Sequence, residues 1–511
     1  MNLEPEKCCE SGCVPCERDR DGEAPLDLLN YIGGEFVGHS GNEADENDWL
    51  NVLEPATGYR FARVPLSGPD DVDAAVIAAR AAAPDWGALD FAERADWLDR
   101  IADALETKYE EIAALESQDT GKPIALARAV DAYRSVANFR FFAGLIREKA
   151  DSPDEIFEMD NATNVVVSKP VGVAALITPW NLPLYLLSWK VAPAIGMGNT
   201  VVCKPSELTP MTANLLMETI DEVGLPAGVV NLVHGNGAGA GGPLTTHSDV
   251  DLVSFTGGTA TGAKVAAAAA PQFKKLSLEL GGKNASIIFD DCDFDITVPG
   301  VTRAAFLNQG QVCLCGSRIL VQSGIYDEFV ERFVDSVESM RIGDPSNDEI
   351  ELGALISPDH LAKVEGYVTL AQEEGGEVLT GGYPCLPKEF EHGNWLAPTV
   401  IAGLSPDARC STEEIFGPVV TIHRFETEEE AVAIANNTRY GLAGSVWTGD
   451  LDKGRRVAES IDTGMVWVNT WLHRDLRVPF GGVKDSGVGR EGGRWSLGFF
   501  SEPMNICLKH D

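Results

Sequence analysis

The stretch from Phe306 to Arg318 reads Phe-Leu-Asn-Gln-Gly-Gln-Val-Cys-Leu-Cys-Gly-Ser-Arg. It sets a thiol, Cys313, just past a glycine-containing polar turn at the end of an apolar periodic segment. A side chain so placed can be carried by the backbone into a cleft, where a thiolate attacks an electrophilic carbon. Free cysteines also serve as small buried hydrophobes. This stretch alone does not choose between the two for Cys313, or for Cys315 two residues on.

Other chemistry-bearing residues stand where strands run out. Ala162 to Lys169 and Val171 to Ile177 read as strands, the second broken by Thr178-Pro179-Trp180-Asn181. The apolar segment Leu182 to Ala194 leads to a turn at Gly198, a buried strand and the charged end Lys204-Pro205-Ser206-Glu207. A helix (Thr212 to Val223), strands at Val229 to Val233 and Leu252 to Phe255, a helix (Ala260 to Ala270) and a strand (Leu276 to Leu280) follow. Such alternation predicts a parallel α/β sheet with ligands beyond the carboxyl ends of its strands. Asn181, Lys204, Glu207 and Gly257 fall at such ends. Phe255 to Gly262 follows a strand and opens an alanine-rich helix, so its free N–H groups can meet an anion. Gly237, Gly239 and Gly242 also fit G-x-G-x-x-G, but Pro243 follows at once and no acidic strand end comes about twenty residues later, so the match reads as accidental.

Upstream, Tyr31 to Gly38 predicts a hairpin turning at Gly33-Gly34, with strands continuing through Asn51 to Pro65. Asp70 is expected to cap an alanine-rich helix, and Phe91 to Ser117 repeats apolar residues at helical spacing. The helix Ile124 to Lys149 carries Arg134 and Arg140 among aromatic residues. Downstream, Ser286 to Phe289, a helix over Thr297 to Gln309, Ile319 to Gln322, helices at Tyr326 to Met340 and His360 to Glu374, and strands at Thr399, Val419 and Gly464 begin a second α/β set. Two such domains with the thiol at the start of the second would leave a cleft between them.

The chain has 511 residues, 44% hydrophobic and 23% charged, and no apolar run of membrane-spanning length. Forty basic against 78 acidic side chains give a formal charge of −38, which repels phosphate backbones and anionic lipid, so nucleic acid and membrane are poor partners. A salt-rich cytoplasm would select such a surface, although solubility alone would too. The start carries no cationic and apolar leader pattern, so a cytoplasmic protein is expected. Eleven cysteines without a secretory signature argue for reduced thiols. Four of them, Cys8, Cys9, Cys13 and Cys16, crowd a tail for which redox sensitivity is favoured over a metal site; no metal is expected elsewhere.

Seven motifs in order resemble the aldehyde dehydrogenase superfamily: Pro179-Trp180-Asn181, Lys204 to Glu207, Phe255 to Thr259, Leu278 to Asn284, Asn308 to Cys313, Glu413 to Pro418 and Pro479 to Gly482. The resemblance runs from about Asp27 to Lys509. It implies two Rossmann-like parallel-sheet α/β domains with a small β extension for oligomerisation. Residues 27–150 and 170–281 would bind NAD, 282–481 would be catalytic, 151–169 and 482–511 would bridge subunits of a homodimer or homotetramer, and 1–26 would be a tail.

The resemblance also implies roles. Cys313 adds to an aldehyde, Asn181 and the Cys313 N–H hold the oxyanion, and Glu279 activates water to release the acid. Lys204, Ser206 and Glu207 meet the adenine ribose, where a carboxylate favours NAD over NADP. Thr178, Pro179, Trp180, Gly257, Gly258, Gly262 and Leu280 line the rest of the nucleotide site, and Glu414 and Phe416 contact the nicotinamide ribose. Gly258 stands where many relatives carry serine. The segments Val312 to Cys315, Val468 to Arg477 and Met504 to Lys509 are similar to the branch acting on muconic semialdehydes, first 2-hydroxymuconic and alternatively 2-aminomuconic, with a broad-specificity enzyme as a further alternative. In that branch two arginines grip the substrate carboxylate; here these are Arg134 and Arg474, with Arg477 the competitor for the second place. Cys315 is expected to pack, with disulfide formation to Cys313 as a lesser possibility.

Overall fold

The computed structural model describes residues 18–19, 24–38, 46–151, 155–387, 390 and 392–510. The four cysteines of the tail lie outside the described residues. The first large sheet has eight strands in the order Gly487–Val488, Lys275–Glu279, Leu252–Thr256, Val173–Ile177, Thr200–Lys204, Val230–Leu232, Asn30–Ile32 and Glu35–Val37. Its five central strands are parallel, and antiparallel pairs close both edges. These central strands are buried on both faces, which is why they read as apolar runs without alternation. From Val173–Ile177 the chain builds outward through Thr200–Lys204 and Val230–Leu232, then crosses to Leu252–Thr256 on the other flank. The reversal leaves a crevice at the carboxyl ends, the place where open α/β sheets take ligands.

The second sheet has seven strands, ordered Glu377–Thr380, Thr399–Ala402, Val419–Phe425, Arg318–Gln322, Ala285–Ile288, Ala443–Trp447 and Met465–Val468. All of its pairs are parallel except the first. A third, three-stranded antiparallel sheet joins Ser501–Lys509, Ala162–Pro170 and Glu155–Met159. Ile156, Phe157 and Met159 are exposed on it. Among the described residues no helix is long and apolar enough to cross a membrane.

The hairpin turns at Gly33 and Gly34, both at positive φ. Three local expectations change. The helix Pro69–Ala88 is capped at Gly68, whose N–H donates to the Asp71 carboxylate at 2.9 Å, so Asp70 sits inside the first turn. The helix expected over Thr297 to Gln309 runs from Phe294 to Phe306, because Asn308 and Gln309 take left-handed backbone angles that no right-handed helix contains. The valines Val165 to Val167 lie in the central strand of the small sheet, and only Ile506 to Leu508 lie in an edge strand.

One buried side chain ties three of these pieces together. Asn199, at a turn before Thr200–Lys204, accepts from the N–H groups of Val171 and Gly172 at 2.8 and 3.0 Å. It donates to the carbonyls of Ala194 and Phe500 at 3.0 and 2.7 Å. Removing it strands several buried backbone groups, each costing about 1–3 kcal/mol. Asn199→Ala should therefore lower the thermal unfolding midpoint by several degrees, and a midpoint equal to that of the parent would contradict this account of the joint.

Candidate active site

The thiol segment leaves the helix Phe294–Phe306 through three successive left-handed residues, Asn308, Gln309 and Gly310, at φ 54°, 55° and 70°. Glycine takes such angles freely and asparagine tolerates them, whereas glutamine there is strained. The strain is held by side-chain amides. Gln309 Nε2 donates to the carbonyl of Ala354 at 2.8 Å, and Asn308 Nδ2 donates to the carbonyl of Asn181 at 3.1 Å. Asn284 Nδ2 donates to the carbonyls of both Cys313 and Cys315, at 2.8 and 2.9 Å. The indole N–H of Trp471 takes the carbonyl of Leu314 at 3.0 Å. Cys315 is buried in the core, with its Sγ directed at the carbonyl of Leu307, and both thiols are free.

Cys313 borders two cavities. One, of about 230 Å³, is also lined by Asn181, Glu279, Leu280, Glu414, Phe416, Trp180 and His360. The other is narrow, about 40 Å³, and apolar, walled by Tyr185, Trp189, Leu307, Leu472, Arg474 and Phe480 among others. Asn181 is buried, and its side-chain amide donates to the carbonyl of Gln311 at 2.9 Å. An amide carries two N–H groups, so one donor is left for a ligand. Its own carbonyl is fixed by buried Lys122 at 3.0 Å, and Lys122 is paired in turn with Asp131 at 2.8 Å.

Glu279 ends the strand Lys275–Glu279 and is 4% exposed, with neither carboxylate oxygen hydrogen-bonded among the described residues. Burial first and the neighbouring Glu491 second push its pKa well above the carboxylate range, against the pull of Lys190, Arg490 and Arg474. Glu491 is itself paired to buried Lys190 at 2.7 Å. A Cβ at Gly481 would lie 2.7 Å from Glu279 Oε1, so the backbone there closes over the carboxylate. The thiol of Cys313 is likewise pushed up, by burial and then by Glu279 and Glu414.

Beyond this centre a larger cleft of about 840 Å³ opens over the carboxyl ends of the first sheet. Thr178, Pro179, Trp180, Lys204, Ser206, Glu207, Gly257 and Gly258 all line it. Buried Lys204 reaches Glu207 at 3.4 Å. A Cβ on Gly257 would press on the Phe255 ring at 2.6 Å, and one on Gly262 would overlap Leu280, whereas one on Gly258 would meet nothing. Glu414 accepts from the Gly282 N–H at 2.9 Å, and Phe416 stands edge-on to Trp180 with centroids 5.3 Å apart. Of the glycines matching G-x-G-x-x-G, Gly237 and Gly239 lie in an irregular helical turn capped by Asn236, and Gly242 opens the short helix Gly242–Thr246. Gly237 and Gly242 line the cleft, and Gly239 does not.

Arg134 donates to the Tyr185 hydroxyl at 3.3 Å, close to the narrow cavity. Arg474 lies in the cavity wall, stacked on Phe480 and Trp189, with its guanidinium carbon 4.0 and 4.9 Å from their centroids. Arg477 is an exposed surface residue paired to Asp475 at 2.6 Å, and Arg140 is paired to Asp103 at 2.8 Å. Sequence reasoning did not mark Tyr185, Trp189, Lys190, Glu491 or His360. The i, i+4 spacing of Tyr185 and Trp189 on the helix Pro183–Gly196 was the available signal, since that spacing puts both on one face.

The aldehyde dehydrogenase family pattern matches residues 42–506. The chain belongs to the aldehyde dehydrogenase family. It is 47% identical over 488 residues to the zebrafish (Danio rerio) 2-aminomuconic semialdehyde dehydrogenase, covering 95% of this chain and 99% of that one. It is 46% identical over 488 residues to the 2-hydroxymuconic semialdehyde dehydrogenase of Pseudomonas sp. strain CF600, covering 94% and 99%. Among solved structures, PnpE of Pseudomonas sp. WBC-3, determined with nicotinamide adenine dinucleotide, superposes with a TM-score of 0.91 at 41% identity over 95% of this chain and 98% of that one. Betaine aldehyde dehydrogenase of Staphylococcus aureus, solved with NAD+, gives 0.91 at 37% identity over 95% and 96%.

A raised thiol pKa means that Cys313 is neutral at pH 7 in the cofactor-free protein, and that its thiolate fraction grows as pH rises. Iodoacetamide labelling of Cys313, followed by peptide mass spectrometry, should accelerate continuously from pH 6 to pH 9; a rate already level at pH 7 would contradict the direction of the shift.

Proposed function

We propose that this aldehyde dehydrogenase uses NAD to oxidise a carboxylated semialdehyde of the muconic type to the diacid, with 2-hydroxymuconic semialdehyde as the leading substrate and 2-aminomuconic semialdehyde as the second. The observation that carries the reading is Arg474. It is a largely enclosed cation with no ion pair among the described residues, set in the wall of an otherwise apolar cavity that ends at Cys313. A cation in such a place needs an anion, and a substrate carboxylate supplies one. Relatives named for the two semialdehydes stand within a few percent of each other in identity, so they do not choose between the substrates.

The cleft fits NAD. Gly257 and Gly258 line it, Gly262 lies against Leu280 rather than in the cleft wall, the helix Thr259–Ala269 opens towards the cleft with free N–H groups, and the Glu207 carboxylate beside Lys204 suits a ribose 2′-hydroxyl and repels a 2′-phosphate. Bound there, NAD would supply the hydride acceptor. The chain's own residues do the rest. The Cys313 thiol gives its proton to solvent and Sγ adds to the aldehyde carbon, while the second N–H of Asn181 with the Cys313 N–H receives the oxyanion, worth roughly 3 kcal/mol per donor. The acyl group left on sulfur is released by water, whose proton passes to the Glu279 carboxylate. Burial raises the proton affinity of Glu279, which makes its carboxylate a stronger base.

In this reading residues 27–150 and 170–281 carry the nucleotide, 282–481 the catalytic thiol, and 151–169 with 482–511 the contacts of a cytoplasmic homodimer or homotetramer. The exposed Ile156, Phe157 and Met159 support that last role.

Cys313→Ala should abolish turnover while NAD binding, followed by fluorescence titration, persists; measurable steady-state turnover would remove the thiol from the mechanism. Arg474→Ala should lower kcat/KM for the carboxylated semialdehyde about 100-fold relative to an uncharged aldehyde, from about 2–3 kcal/mol of lost charged hydrogen bonding. Equal losses on both substrates would defeat the substrate assignment.

A further inference from the structure

One polar side chain of the narrow cavity has no part in that mechanism. Tyr185 lies in the first turn of the helix Pro183–Gly196, is 9% exposed, and lines the cavity that Arg474 also lines. Its ring and its hydroxyl both serve an arginine. The Arg134 guanidinium carbon sits 5.0 Å from the ring centroid, and Arg134 Nη2 donates to the hydroxyl oxygen at 3.3 Å. Burial lowers the proton affinity of Arg474, and Tyr185, Arg134, Glu491 and Glu279 all act on it electrostatically.

Tyr185 therefore stands with two guanidiniums that repel each other and that no carboxylate of the described residues pairs. A phenol is both donor and acceptor. Here the oxygen is used as acceptor by Arg134, and among the described residues nothing takes the proton. A charged neighbour on the oxygen also polarises the O–H and strengthens it as a donor. Of the other walls, Leu126, Val130, Leu307, Leu472 and Phe480 are apolar, and Asn308 also lines the cavity, its side-chain oxygen buried and without a hydrogen-bond partner among the described residues. A carboxylate has about four lone-pair sites, so two guanidiniums leave room for a further donor.

Building on the carboxylated-semialdehyde reading above, we propose that Tyr185 is a specificity-determining residue that donates its hydroxyl proton to the substrate carboxylate while its ring and oxygen hold Arg134 in place. The hydroxyl selects for an anionic terminus because an uncharged aldehyde tail offers it no acceptor, leaving a buried donor unpaired on binding.

Tyr185→Phe separates the two contributions, since it keeps the ring under Arg134 and deletes only the hydroxyl. The measurement is the ratio of kcat/KM for a muconic-type semialdehyde to that for an uncharged aliphatic aldehyde, taken on the full-length enzyme with saturating NAD beside Arg474→Ala. A roughly tenfold fall in that ratio for Tyr185→Phe, carried in KM, is expected for one lost hydrogen bond to a charged group. If Arg474→Ala lowers the ratio and Tyr185→Phe leaves it unchanged, the Tyr185 assignment fails and the substrate reading stands. If neither variant changes the ratio, both fail. A fall carried in kcat with KM unchanged would also overturn the assignment, since it would place Tyr185 in the chemical step.

Discussion

The site depends on a backbone conformation that only its surroundings can hold. Of the three consecutive left-handed residues Asn308 to Gly310, Gln309 is strained on its own and needs support from outside the turn. The turn's own side-chain amides, Asn308 and Gln309, hold it to the distant carbonyls of Asn181 and Ala354, and the Asn284 amide fixes the Cys313 carbonyl. Both large sheets must therefore be formed before the thiol has a defined position. A further consequence is that Cys313 and Asn181 cannot drift independently, since Asn308 reaches the carbonyl of Asn181 and Asn181 reaches the carbonyl of Gln311.

Electrostatics in the site run opposite to those of the surface. The chain carries a formal charge of −38, yet the narrow cavity presents Arg474 with Arg134 near it, and neither has a carboxylate partner among the described residues. Rings take the place of counter-ions: Phe480 and Trp189 face Arg474, and Tyr185 faces Arg134. The acidic pair Glu279 and Glu491 is balanced by Lys190, which is paired to Glu491, and by Arg490 and Arg474, which also act on Glu279.

Much of the fold was legible because its central strands are buried on both faces, so Val173–Ile177 and Thr200–Lys204 announce themselves as apolar runs ending in chemistry-bearing turns. The helix before Cys313 was drawn three residues too long, because apolar periodicity carries no information about positive φ at Asn308 and Gln309. The valines of the small sheet read as an edge and proved central, since pairing partners such as Ser501–Lys509 lie more than 300 residues away and leave no local trace. The choice between Arg474 and Arg477 was open in the sequence for the same kind of reason. In the structure Arg474 lines the narrow cavity, whereas Arg477 is paired to Asp475 at the surface.

The thiol is a shared wall between two rooms of unequal size. One is the cavity of about 230 Å³ shared with Asn181, Glu279 and Glu414, whereas the other is a slot of about 40 Å³ lined by side chains of four separate segments. Any group joined to that sulfur therefore borders both rooms at once.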